Sequence, residues 1–471
     1  MKIEQIYTGC LAQGAYYIVS NGEAAIIDPL RETAPYMARI EKEGVKLKYI
    51  FETHFHADFV SGHLDLSKET GAPIVFGPTA KPSFDALIAE DNQVFKLGNI
   101  TLKVLHTPGH TLESMSILLS DENGKDVALF SGDTLFLGDV GRPDLAQKAA
   151  SMTQEELAGL LYESLYTKIL PLADDIIVYP AHGAGSACGK NMMNITQDTL
   201  GNQKKVNYAL NQATKADFVK AVTDGLLPPP AYFGMNVAMN KGGYEDFQKV
   251  LNTGMTALSA NEFEAVAEAT GALILDTRND AEFAIGFIPQ AINIGITGDF
   301  APWVGAMIGD VKQPILLVTD AGKEEEAVTR LSRVGFDNVL GHLENGFSTW
   351  LKTDKEVDTV NRISAELFAK EWAIDQAKVI DVRKQSEYAA EHVNEAYNKP
   401  LAALNEWIKD INPEEHFYMH CAGGYRSMIA ASILQARGYR NFTEVAGGFN
   451  AIATTDAPRT DFVCQTKVLA S

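Results

Sequence analysis

Cysteine is scarce in this chain, with four in 471 residues, at positions 10, 188, 421 and 464. That is too few and too scattered for a disulfide framework. It points to a reducing, cytoplasmic setting in which individual thiols are available for chemistry. Long apolar runs are also missing. No stretch approaches the ~20 residues that span a bilayer, and Met1-Lys2-Ile3-Glu4-Gln5-Ile6 lacks the basic-then-apolar pattern of a signal peptide, so no membrane partner is expected. Positive charge is in deficit, 40 basic against 61 acidic residues for a net charge of −21. This argues against general affinity for nucleic acid or anionic membranes, so any anion site must be local. The length exceeds what one hydrophobic core supports, and at ~150 residues per domain it suggests three domains.

Residues 1 to about 200 alternate short apolar runs, such as Tyr16-Tyr17-Ile18-Val19 and Ala24-Ala25-Ile26-Ile27, with helical stretches such as Glu155 to Ile169. The runs end in turns carrying Asp, Gly or His, the way many α/β enzymes mount reactive side chains at strand ends. Leu226-Leu227-Pro228-Pro229-Pro230 and Lys241-Gly242-Gly243 follow, and both read as a non-helical connector. Beyond lies an internal repeat. Leu275-Asp276-Thr277-Arg278 with Glu282-Phe283 returns as Ile380-Asp381-Val382-Arg383 with Glu387-Tyr388, an offset of 381 − 276 = 105. Each copy is expected to open on a buried strand, 272–275 or 378–380, and to form a parallel α/β sheet. The expected domains are 1–250, 258–355 and 361–460.

The segment Thr53-His54-Phe55-His56-Ala57-Asp58-Phe59 follows the apolar strand Tyr49-Ile50-Phe51. Residues two apart in an extended segment face one side, so both imidazoles can face one cavity. His110, Asp133 and His182 each sit just after an apolar run, in a turn rich in Gly or Pro. Neutral imidazole and carboxylate are the usual ligands of zinc and of non-haem iron. Singly, these histidines read as turn residues bonded to backbone; five positions in this order read as a metal site.

On these residues the region 1–200 resembles the metallo-β-lactamase superfamily, which implies an αββα sandwich with the metal at one edge. Two-zinc hydrolases of the glyoxalase II type use a histidine where Phe59 stands. The stretch from Gly132-Asp133-Thr134 to Gly141-Arg142-Pro143-Asp144 instead resembles the persulfide dioxygenase branch, whose members bind one ferrous iron. That branch generally keeps the histidine replaced by Phe59, so the chain departs from it there. The resemblance implies one Fe(II) on His54, His110 and Asp133, with His56, Asp58 and His182 orienting ligands or substrate, and a dimer through this domain. Zinc fits the same ligands but only activates water. Arg142 reads either as a clamp for a substrate carboxylate or as an ion pair with Asp144. Tyr179 reads as a substrate hydrogen-bond donor or a strand cap. Cys188, six residues beyond His182, reads as a buried inert thiol or as a sulfur carrier near the metal.

The second repeat holds His420-Cys421-Ala422-Gly423-Gly424-Tyr425-Arg426-Ser427 between the strand Phe417-Tyr418-Met419 and a helix-like run from Met428 to Ala436. A strand, a glycine-rich loop and a helix N-terminus aim backbone N–H groups into a bowl that favours an anion or a thiolate. This makes Cys421 a nucleophile, with Arg426 as its catalytic partner and Arg383, Gly423 and Gly424 as substrate-binding neighbours. The region 362–457 resembles rhodanese sulfurtransferases. Four residues separate Cys421 from Arg426, where tyrosine phosphatases place five, and the tighter loop suits a persulfide sulfur. In the first repeat Asp320 occupies the cysteine's place and Glu324-Glu325-Glu326 follow, so that copy reads as silent.

Taken together, the chain resembles a fusion of a persulfide dioxygenase with two rhodanese domains. The resemblance implies oxidation of a low-molecular-weight thiol persulfide by O2 to sulfite and thiol, with sulfur exchange among persulfide, sulfite and thiosulfate at Cys421, in sulfide detoxification. The alternatives are a zinc thioester hydrolase joined to a sulfurtransferase and a non-catalytic sulfur carrier or sensor.

Overall fold

The computed structural model describes residues 1–226 and 228–463, with Lys148 and Ala149 described by backbone alone; Leu227 and Cys464 lie outside the described residues. The chain divides into two compact units, one of residues 1–248 with Leu331–Gly335, the other of Lys249–Arg330 with the chain from Phe336 onward. Both repeats belong to the second unit, apart from Leu331–Gly335 of the first repeat. Among the described residues no helix is long and apolar enough to cross a membrane.

The first unit is built on two six-stranded sheets. Period-two alternation sorts their side chains. Tyr16, Ile18, Phe51 and Val75 of one sheet meet Leu102, Ile117 and Phe130 of the other in a shared core. The intervening Tyr17 and Ile50 face outward under Tyr36 and Leu66, which belong to the helices Ala34–Glu43 and His63–Thr70. On the opposite face Leu118, Leu129 and Val178 lie under Ala158, Leu161 and Phe218, from Gln154–Ser164 and Lys215–Thr223. The architecture is the expected αββα sandwich, and each layer is there because a strand with two apolar faces needs cover on both. The helix at 154 begins on a capping box between Thr153 and Glu156 and passes at Leu165 into a π turn ending at Ile169.

The connector departs from expectation. Residues Phe233–Gly242 are helical through Lys241 and Gly242, and the helix stops only at Gly243, whose φ of 97° suits glycine. Gly242 is tolerated because the helix is held by what its buried side chains bond, described below.

In the second unit each repeat is a five-stranded sheet with all pairs parallel. The strand orders correspond one to one, with Leu273–Asp276 and Lys378–Asp381 as equivalent interior strands. Neither copy opens on that strand. Each begins with a two-residue strand, Ala257–Leu258 or Arg362–Ile363, and an 11-residue helix, Ala260–Thr270 or Ala365–Asp375. Strands that short carry too little apolar pattern to be read from sequence.

The 105-residue offset holds at atomic scale. Arg383 closes on Asp381 (Nη2 to Oδ2, 2.6 Å), donates to Glu391 O and stacks 3.9 Å over the Phe449 ring; Arg278 does the same with Asp276, Gly286 O and the Phe347 ring at 4.1 Å. Arg383, expected at the substrate, is thus a buried strut. Arg383→Met leaves a buried carboxylate unpaired and is expected to cost about 3–5 kcal/mol, read as a lower urea midpoint for the second unit.

Candidate functional site

Five strand ends supply the first site. Asp28 follows Glu23–Ile27, His54 and His56 follow Lys46–Glu52, His110 follows Ile100–His106, Asp133 follows Asp126–Gly132, and His182 follows Ile177–Pro180. All six side chains are buried. Asp133 is the centre: its Oδ2 lies 3.5 Å from His110 Nε2 and 3.9 Å from His54 Nε2, and its Oδ1 lies 3.5 Å from His182 Nε2.

The tautomers follow from the outer partners. Thr53 Oγ1 gives its single hydrogen to Asp28 Oδ2 at 2.8 Å, so it accepts from His54 Nδ1 at 3.0 Å. His110 Nδ1 donates to Arg142 O at 2.9 Å. Both rings therefore present a bare Nε2 to Asp133, the arrangement by which outer hydrogen bonds prepare metal ligands. Burial, reinforced by His56, His110 and His182, pushes His54 well below the usual imidazole range, which keeps it neutral as a ligand must be.

His54 Nε2, both Asp133 carboxylate oxygens, Asp58 Oδ1 and both His182 nitrogens are buried without a hydrogen-bond partner. Unpaired buried polar atoms in such number, most of them acceptors, are costly unless a cation completes them. His54, His110 and Asp133 can converge on one ion, and a metal fits this donor set. His56, Asp58 and His182 also converge, with His182 Nε2 3.4 Å from Asp58 Oδ2, so the residues expected to serve as orienting groups form a potential ligand set of their own. His56 Nε2 sits 3.0 Å from Asp28 and 3.4 Å from Glu52, and its ring stacks on Phe59 at 4.3 Å. Burial opposes its charging, but the carboxylates of Asp28 and Glu52 together outweigh burial and raise it well above the usual imidazole range.

Cys188 lies at this pocket, its sulfur close enough to join Asp133 and His182 around an ion. Burial, then the carboxylates of Asp58 and Asp133, push its thiol well up. Arg142 is closed on Asp144 by two 2.7 Å hydrogen bonds and donates to Ala187 O, so its fork braces the loop that carries Cys188. Tyr179 stacks on Phe130 at 5.3 Å and packs into the core between the sheets. A tyrosine at alternate register on a strand turns its ring to the sandwich interior, and Tyr179 does so while remaining partly exposed.

Sequence reading missed three residues here. Asp28 and Glu52 hold the histidine segment, and Asp28 was legible as a carboxylate ending an apolar strand. Asn240, in the connector helix, gave no signal. It donates to His56 O and Phe59 O at 2.8 Å each and accepts from Ser61 N at 2.9 Å. Asn240→Ala leaves those backbone groups unpaired, at about 1–3 kcal/mol, and is expected to speed metal loss to a chelator while the far-ultraviolet spectrum stays unchanged.

The second site is the loop at Cys421. Its helix begins at Tyr425, three residues earlier than expected, because Gly424 takes a φ of 109° and turns the chain directly into it. Gly424 N donates to Cys421 Sγ at 3.1 Å. Phe449 N and Asn450 N bind Cys421 O and Ala422 O, and a Cβ on Gly448 would lie 2.5 Å from Cys421 O. A Cβ on Gly423 would meet Asn450 Nδ2 at 4.0 Å, an ordinary contact. Arg426 is paired with Glu387 at 2.6 and 2.8 Å and holds that carboxyl below its usual range. In the first repeat Asp320 and Thr319 line a cavity of about 370 Å³ with Glu282 and Phe347.

Residues 8–182 match the family description Metallo-beta-lactamase superfamily, and 259–353 and 364–455 each match Rhodanese-like domain. Among relatives, the human mitochondrial persulfide dioxygenase ETHE1 is 31 % identical over 46 % of this chain and 78 % of its own length. A hydroxyacylglutathione hydrolase of Rhodopseudomonas palustris (strain BisB5) is 33 % identical over 46 % of this chain and 80 % of its own. The crystal structure of a metallo-beta-lactamase from Staphylococcus aureus subsp. aureus COL superimposes with a TM-score of 0.66 at 33 % identity, covering 73 % of this chain and 99 % of that one. The two named activities differ, one redox and one hydrolytic, so the names leave the chemistry to the site. The chain belongs to the metallo-beta-lactamase superfamily and carries two rhodanese-like domains behind its superfamily domain.

Proposed function

We propose that this chain oxidises a low-molecular-weight thiol persulfide with O2 to sulfite and free thiol, and that Cys421 moves sulfane sulfur between persulfide and sulfite. The observation that carries it is the presence in one polypeptide of the His54, His110, Asp133 group and of a buried cysteine whose sulfur accepts a backbone N–H in a glycine-rich loop. Sulfane sulfur is the one substrate that both chemistries share.

A ferrous ion on His54, His110 and Asp133 would supply open coordination positions and the redox capacity to join dioxygen to sulfur. The chain's own residues do the rest. Thr53 and the Arg142 carbonyl fix which nitrogen each histidine presents, and the burial of the site limits competing water. The overall reaction balances as persulfide plus O2 plus water giving thiol, sulfite and protons. At the second site the Cys421 thiolate attacks the outer sulfur of a persulfide; a sulfur–sulfur bond forms, the donor's breaks, and its thiolate leaves. Sulfite then takes that sulfur, the electron pair returns to Cys421, and thiosulfate departs. A cytoplasmic role in sulfide detoxification and a dimer through the first unit complete the proposal.

The hydrolase relative favours a second reading, a zinc thioester hydrolase joined to a sulfurtransferase. Against it stand the Asp133 to Asp144 stretch, which resembles the dioxygenase branch, and the sulfur-handling loop at Cys421; Phe59 disfavours only a second zinc. Metal analysis after anaerobic purification, paired with oxygen uptake on glutathione persulfide, tests the choice. Iron with uptake supports the dioxygenase; zinc with thioester cleavage and no uptake overturns it.

A further inference from the structure

A buried polar chain runs from Cys421 into the silent repeat. Ser427 Oγ lies 3.4 Å from Cys421 Sγ, 3.0 Å from Gly424 O and 2.6 Å from Glu444 Oε1. Glu444 Oε2 is 2.7 Å from Arg362 Nε, a charge contact off the hydrogen-bond line. Arg362 Nη2 in turn is paired with Asp280, on the first repeat's helix Asp280–Ile285. A Cβ on Gly424 would lie 2.8 Å from Asp280 Oδ2, so the silent repeat reaches the cysteine loop itself. Tyr425, in that loop, donates to Gly295 O of the silent repeat at 2.8 Å.

One hydrogen cannot serve three acceptors. While Glu444 is ionised its carboxylate takes the Ser427 hydrogen, because charge-assisted bonds outcompete neutral ones. Once Glu444 is protonated it donates to Ser427 instead, and the hydroxyl is free to turn to sulfur. A thiolate there beats the neutral Gly424 carbonyl for the same reason.

We infer that Glu444 is a positioning residue for sulfur transfer, one that releases the Ser427 hydroxyl to stabilise Cys421 as the leaving thiolate, and that Asp280 of the silent repeat sets this balance through Arg362. The inference rests on the sulfurtransferase reading above. Burial pushes Glu444 up to about 7, with Arg362 opposing and Asp280 adding to the rise, so the switch falls in the working range. The charged groups facing Glu444 are Arg362 on its neighbouring strand and Asp280 on the first repeat's helix; Ser427 faces it from the loop helix. In the step itself sulfite attacks the outer sulfur of the Cys421 persulfide, its bond to Sγ breaks, and Sγ keeps the electron pair. A donor placed at the atom gaining charge accelerates such a step.

The test is single-turnover release of thiosulfate when full-length protein, loaded with persulfide, is mixed with sulfite between about pH 6 and 9. Rates are read as the ratio of variant to wild type, so the ionisation of sulfite cancels. Glu444→Gln keeps an amide donor toward Ser427; its ratio should stay near one at low pH and climb about 10–100-fold above neutrality, where wild type loses the donor. Asp280→Asn removes the charge that raises Glu444, so its ratio should dip near neutral pH and return to one at both ends. Ser427→Ala should be slow at low pH and match wild type at high pH. Flat ratios for Glu444→Gln or Asp280→Asn overturn the inference and leave sulfur transfer standing. Wild type that releases no thiosulfate at any pH overturns the sulfurtransferase reading, and this inference with it.

Discussion

His110→Ala is expected to yield a protein that holds little metal and takes up no oxygen on glutathione persulfide. His110 is one of three side chains that converge on the candidate ion, and its Nε2 faces Asp133 Oδ2 at 3.5 Å. Loss of an outer hydrogen bond to a ligand costs about 10–100-fold in metal affinity, and loss of the ligand itself costs more. A Cβ on Gly141 would lie 3.1 Å from His110 Nδ1, so glycine there leaves room for the ring that the substitution removes. Metal content after anaerobic purification and the rate of oxygen consumption check it together. Full metal with full uptake would show that the ion sits on His56, Asp58 and His182 instead. Thiosulfate exchange at Cys421 is expected to continue, since that loop belongs to the other compact unit.

That separation between ligand sets marks where sequence reading stopped. His54, His110 and Asp133 were legible because each ends an apolar strand, and strand ends of one sandwich edge meet in space. The same logic covers Asp28, although a lone aspartate after Ile27 also reads as a turn residue. Asn240 was out of reach: its partners are backbone groups 181 and 184 residues away, and a helix end beside Gly242-Gly243 carries no period to suggest burial. Arg383 shows the opposite failure. An arginine two residues after a strand aspartate suggests an anion site, whereas its Nε and Nη2 are turned onto the buried carboxylate beside it. The repeat itself gave the remedy, since Arg278 makes the same contacts in a copy that has no cysteine, so those contacts cannot be about sulfur.

Cys421→Ser is expected to abolish thiosulfate formation while oxygen uptake stays within about twofold of wild type, because a serine hydroxyl is neither a ready nucleophile nor a carrier of sulfane sulfur. The substitution is nearly isosteric in a buried loop whose backbone is held by Phe449 N and Asn450 N, not by the side chain, so the fold should survive. Stoichiometry makes the test sharp. If sulfite is made at the metal and then consumed at Cys421, wild type uses about two persulfides per O2 and ends in thiosulfate, whereas the variant uses about one and ends in sulfite. Persulfide, oxygen and both sulfur oxyanions measured on the same samples decide it. A variant that stops taking up oxygen would mean that persulfide reaches the metal only by way of Cys421, and the order of the two sites would have to be reversed. A variant that still makes thiosulfate would move the sulfur-carrying role to another thiol, and among the described residues Cys188 is the one placed against Asp133 and His182.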